Sequence, residues 1–74
     1  MEIQEFVEKI AEAIEVDNVD ALSADTEFRE LEEWSSLSVM FLIAFYDEEF
    51  GKELTQAQIK ESRTIKDLYN IAIA

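Results

Sequence analysis

The chain has no cysteine, no histidine and no proline, and its one glycine is Gly51. Without cysteine there is no disulfide and no thiolate metal site. Without histidine as well, the usual zinc ligands, the Ser–His and Cys–His nucleophile pairs and the commonest general base are missing. No catalytic residue and no metal ligand is expected, which argues against a stand-alone enzyme. Basic residues are scarce too: six Lys and Arg stand against 18 Asp and Glu, for a formal net charge of −12. Such a chain repels phosphates, so neither nucleic acid nor an anionic membrane surface is an expected partner. Partners with basic patches are favoured, and the charge steers their encounter.

Long apolar runs are lacking. The longest, Val39 to Tyr46, is far too short to span a membrane. The start, Met1-Glu2-Ile3-Gln4-Glu5, is acidic where a secretory signal needs positive charge. A soluble, cytoplasmic, monomeric protein is the expectation. There is no Gly-rich linker, repeat or low-complexity tract, and no segment alternates like a strand. A length of 74 residues bounds the chain to a single domain, 1–74, and 49% apolar residues exclude a disordered acidic tail.

What is present has helical spacing. Ile3, Phe6, Val7, Ile10 and Ile14 recur on one face, which predicts a helix over residues 2–16. Residues 17–35 lack a strong period and carry the turn formers Asp17, Asn18, Asp20, Ser23 and Asp25. Leu22, Phe28, Leu31 and Trp34 punctuate this long loop, and Phe28 and Leu31 are expected to plug the core. A calcium loop at Asp17–Asp25 is disfavoured by its acidic spacing and by the missing central glycine. A second helix is expected over 36–50, ended by Gly51 in the left-handed position. Thr55 with Gln58, and Thr64 with Asp67, are start signals for helices over 56–61 and 65–73. The fold class is all-α: a small four-helix bundle with three longer helices, one short helix and a long loop between the first two.

The second helix has two apolar faces. Val39, Leu42, Ile43, Tyr46 and Phe50 make an ordinary core stripe. Leu37, Met40, Phe41 and Ala44 cluster opposite, beside Ser36, with Phe45 on the flank. A helix that is apolar all round is central or presents a binding surface. Cover by the loop, self-association and a partner-docking patch all remain open at this point. Ser35 is the expected N-cap, with Trp34 and Val39 placed for a hydrophobic staple. Ser36 has two readings. It is part of the cap, or it is an acceptor for a phosphodiester that the free amides and dipole of the helix N-terminus would stabilise.

The ordered set of motifs resembles the acyl carrier proteins. That family's hallmark is Asp-Ser-Leu at the start of the second helix, and Ser36-Leu37 matches its Ser-Leu part. Leu22-Ser23-Ala24-Asp25-Thr26-Glu27-Phe28, Leu31, Glu33-Trp34, Asp47-Glu48-Glu49-Phe50-Gly51 and Thr64-Ile65-Lys66-Asp67-Leu68 fit the same pattern along nearly the whole chain. The resemblance implies that Ser36 carries a 4′-phosphopantetheine arm, installed from coenzyme A by a phosphopantetheinyl transferase. It implies a carrier of acyl thioesters without catalytic residues of its own. Partners would be the transferase and an acyl ligase, acyltransferase or condensing enzymes. They would meet Ser35, Leu37, Met40, Phe41 and Ala44, with Asp47 and Glu48 facing their basic residues.

Two departures stand out. Ser35 replaces the family's Asp, which keeps a good cap but removes a negative charge beside the acceptor and predicts slower modification. Ser38 and Phe41 stand where many fatty-acid carriers have acids, which implies a more apolar recognition face and a specialised pathway. A peptidyl or aminoacyl carrier shares the fold and the arm. A non-carrier interaction module using the Leu37, Met40 and Phe41 face, with Ser36 as a plain cap, is the alternative from another class.

Overall fold

A computed structural model describes all 74 residues. Four helices form: α1 (Ile3–Ile14), α2 (Ser36–Phe50), α3 (Gln56–Glu61) and α4 (Ile65–Ile73), with short 3₁₀ turns at Val19–Ala21 and Phe28–Glu30 inside the long loop. The last three helices have the expected bounds. The first is shorter than the 2–16 expected. Glu15 takes the left-handed conformation at φ 66°, and the Val16 amide turns back to the Ala11 carbonyl at 2.8 Å. That closure lets Val16 pack against the core, at the strain of a non-glycine residue in the left-handed region.

The core collects Phe6, Val7, Ile10, Ala11 and Ile14 from α1, Leu42 and Tyr46 from α2, and Leu54 from the connection that follows. Ile59 from α3 and Ile65, Leu68 and Ala72 from α4 complete it, with Leu22 and Phe28 reaching in from the loop. Phe28 plugs the core as expected and meets Trp34 edge-on at 5.1 Å between ring centroids. Leu31 packs against the edge of the core and is only half-buried, as the chain leaves the second 3₁₀ turn there in extended conformation. Tyr46 fills the centre. It is fully buried between Phe6 and Phe50, and its hydroxyl donates to the Leu68 carbonyl, joining α2 to α4.

The loop is tied down at the start of α4. The first amides of a helix lack intrahelical acceptors. Here the Thr26 carbonyl accepts from Ile65 N–H at 3.1 Å and the Ala24 carbonyl from Lys66 N–H at 2.8 Å. Thr64 Oγ1 takes the Asp67 amide, while the Asp67 carboxylate returns to the amides of Arg63 and Thr64 at 2.9 and 3.1 Å. Those two amides hold the Asp67 carboxyl below its ordinary range. The Thr55 and Gln58 pair builds the same reciprocal cap on α3. Anchored at α4, the loop delivers the chain to the start of α2.

Candidate functional site

Ser36 is the first residue of α2, and its side chain is exposed. Ser35 takes the N-cap position as expected, and Ser38, which was not expected in the cap, shares it. Ser35 has extended backbone and forms a capping box with Ser38, its own hydroxyl facing the Ser38 amide at the margin of a hydrogen bond. The well-formed half is that of Ser38: Ser35 N–H donates to Ser38 Oγ at 3.1 Å, and the Ser38 hydroxyl donates on to the Glu33 carbonyl at 3.4 Å. Ser38 is buried in that role. It therefore does not lie on a recognition face, which corrects its reading as a missing surface acid. Phe41 alone keeps that reading.

Below Ser36 the second apolar face is open. Leu37, Met40 and Phe41 are 61%, 65% and 45% exposed, Ala44 is exposed beside them, and the loop does not cover them. The opposite stripe is shallower than expected. Leu42 and Tyr46 are fully buried, whereas Val39, Ile43 and Phe50 are half-buried at the rim of the bundle. Asp47 and Glu48 are exposed at the far end of α2, and no acid lies in its first turn. Along α2 itself the first acid thus lies about three turns from Ser36, while Glu32 and Glu33 of the preceding loop are exposed just before it.

A groove flanks the exposed face on each side. One, of about 470 Å³, is lined by Met40, Ile43, Ala44, Asp47, Lys52 and Glu53. The other, of about 400 Å³, lies against α1 and includes Lys9, Ala13, Phe41, Ala44, Phe45 and Glu48. Ile43, Lys52 and Glu53 were not expected at the site. Ile43 reads as core by its spacing, and the turn at Gly51 that brings Lys52 and Glu53 alongside α2 is a tertiary event with no local signal.

The chemistry available at Ser36 is that of an acceptor. No titratable side chain donates to or accepts from its hydroxyl, and its own amide and that of Leu37 have no protein acceptor. Two free amides and the positive end of a 15-residue helix suit a phosphate. The family model described as a phosphopantetheine attachment site matches residues 4–71. The chain belongs to this carrier family. Carriers of the family hold a covalently attached 4′-phosphopantetheine and are not enzymes themselves. They work with a phosphopantetheinyl transferase and with biosynthetic enzymes. No curated protein and no solved structure gave a significant match. The carrier's helices also include none long and apolar enough to cross a membrane.

Proposed function

We propose that this carrier holds acyl intermediates as thioesters on a 4′-phosphopantetheine arm joined to Ser36, and that it serves a specialised biosynthetic pathway in the cytoplasm as a monomer. The observation that carries the reading is an exposed serine hydroxyl at the head of α2, beside two amides without acceptors. Joining the arm replaces the hydroxyl proton with a phosphodiester, whose charge the helix N-terminus offsets. The arm supplies a thiol that holds the cargo; the protein supplies the anchor and the surface that partners read.

That surface is Leu37, Met40, Phe41 and Ala44, with Ser35 at its upper edge and Asp47 and Glu48 at its lower end. An acyl ligase, acyltransferase or condensing enzyme would meet it with an apolar patch near the arm and Arg or Lys further down. Because the upper turns of α2 carry no acid, apolar contact supplies more of the affinity there than ion pairing does, which supports a dedicated partner set.

Intact mass after incubation with coenzyme A, Mg²⁺ and a promiscuous transferase tests the reading. One arm per chain is expected on the native protein and none on Ser36→Ala. Absence of an adduct on both the native protein and Ser35→Asp would overturn it.

A further inference from the structure

The cargo of a small helical carrier has two places to go, inside the bundle or along its outside. Here the inside is taken. Tyr46 occupies the centre with none of its surface exposed and holds α2 to α4 through its hydroxyl on the Leu68 carbonyl. Phe6, Phe45 and Phe50 surround it at ring-centroid separations of 6.2, 5.8 and 5.4 Å. A chain entering between these elements has to displace that ring and leave a buried hydroxyl without its acceptor, which is unfavourable. The protein's depressions are open grooves: two flank α2, and a third of about 480 Å³, lined mostly by polar residues, lies between the turn after α2 and the end of α4.

One of those grooves starts below Ser36. Met40, Ile43, Ala44 and Asp47 follow Ser36 at helical spacings of four, seven, eight and eleven residues, so they continue its own face of α2. Along the axis this places Met40 about 6 Å and Asp47 about 16 Å from Ser36. The upper part is apolar. From Asp47 downward the lining turns charged, with Lys52 and Glu53 on the opposite wall. Lys52 spends its ammonium on the Ile71 and Ala74 carbonyls of α4. An alkyl chain laid down this groove finds apolar cover for about two helical turns and then only charge.

Resting on the assignment of the arm to Ser36, we propose that the cargo is carried outside the bundle, in the groove lined by Met40, Ile43 and Ala44, and that it is a short, polar acyl group and not a long alkyl chain. The filled interior denies a long chain its shelter. The charged lower groove gives such a chain no burial but leaves hydrogen-bonding groups for a hydroxylated or aminated cargo.

The test is the dependence of stability on chain length. The native protein is loaded by a promiscuous transferase from acetyl-, 3-hydroxybutyryl- and octanoyl-coenzyme A, which leaves the acylated phosphopantetheine on Ser36 and releases adenosine 3′,5′-bisphosphate. In parallel, Ser36→Cys is alkylated with iodoacetamide derivatives of the same three arms, since the chain has no other cysteine. The second series needs no transferase, so it reads the groove even where enzymatic loading fails and the carrier assignment falls. All three loaded forms are expected to melt within about 2 °C of one another, judged against the shift that buried methylenes would bring. The side-chain methyl signals of Met40 and Ile43 are expected to move on loading, while those of Leu42, Leu54 and Leu68 stay in place. A melting temperature that rises from acetyl to octanoyl by clearly more than about 2 °C, toward the roughly 20–40 °C that six further buried methylenes would bring, would overturn the proposal. So would octanoyl-dependent shifts at Leu42, Leu54 or Leu68.

Discussion

Tyr46→Phe isolates the bond that closes the centre of the bundle. The substitution keeps the ring and its edge-on contacts with Phe6, Phe45 and Phe50. It removes one oxygen, and with it the donor to the Leu68 carbonyl. A buried hydrogen bond of this kind is worth about 1 kcal/mol net. The stranded carbonyl adds a little more, though the ladder of α4 still offers it one donor. The expected loss at pH 7 is about 1–1.5 kcal/mol, which lowers the melting temperature by about 4–12 °C in a domain of this size. In urea the midpoint falls by about 1 M with an unchanged slope.

The same variant has a signature at alkaline pH that a merely structural change lacks. Burial pushes the Tyr46 phenol well above its ordinary value, because the low dielectric disfavours the phenolate. The folded protein keeps the proton while the unfolded chain gives it up near pH 10. The stability owed to Tyr46 is therefore fully present below about pH 10 and declines by about 1.4 kcal/mol per pH unit above it. The native protein and Tyr46→Phe share every other titratable group, so their difference in urea midpoint cancels the rest. That difference is expected to be constant from pH 7 to about 10, to close near pH 11 and to reverse beyond. A gap that stays constant through pH 11, or no gap at pH 7, refutes the role given to the hydroxyl.

Other perturbations read other parts of the fold. Glu15→Gly relieves the left-handed residue that ends α1 and is expected to add about 1 kcal/mol to stability in a urea titration. The carboxylate of Asp67, stabilised by the amides of Arg63 and Thr64, contributes stability that is present above its ordinary pKa and lost as pH falls through the depressed one. The deficit of Asp67→Asn is therefore expected at pH 7 and should shrink in melting curves taken from about pH 4 downward. With a net charge of −12, self-repulsion opposes compaction, so added salt or divalent cation is expected to raise the melting temperature until screening is complete.

Most of this fold is written locally. The caps at Thr55 and Thr64 and the stop at Gly51 act through residues three or four apart, so the spacings alone place α2, α3 and α4. What the spacing leaves out is tertiary. Nothing local says that Glu15 turns left-handed, because the gain comes from seating Val16 on the core. Leu31 and Phe28 look alike in sequence, yet the 3₁₀ turn at Phe28–Glu30 buries Phe28 fully and leaves Leu31 half-buried at the edge. At the site, the second apolar face of Leu37, Met40, Phe41 and Ala44 was legible from its helical spacing, but that the loop leaves it uncovered is a tertiary outcome. The groove wall from Lys52 and Glu53 was not legible, since it depends on how the chain folds back after Gly51.

The serines of the turn divide stability from recognition. Ser38 is the residue that holds the start of α2: it takes the Ser35 amide and reaches the Glu33 carbonyl from a buried position. Ser38→Ala leaves both groups short of a partner and is expected to cost about 1–2 kcal/mol, at the upper end for a lost cap. Ser35 completes the capping box from the other side, but its hydroxyl reaches the Ser38 amide only marginally, so its side chain carries the smaller share of the cap. Ser35→Asp is then expected to leave stability unchanged or to raise it by about 0.3–1 kcal/mol through the helix dipole. The same variant restores a negative charge beside Ser36, and the rate at which a transferase loads the arm should rise. Stability measured in urea and loading measured by intact mass report the two effects separately. A Ser35→Ala variant that loses as much stability as Ser38→Ala would show that the cap belongs to Ser35 after all, and position 35 would no longer be free to vary for recognition alone.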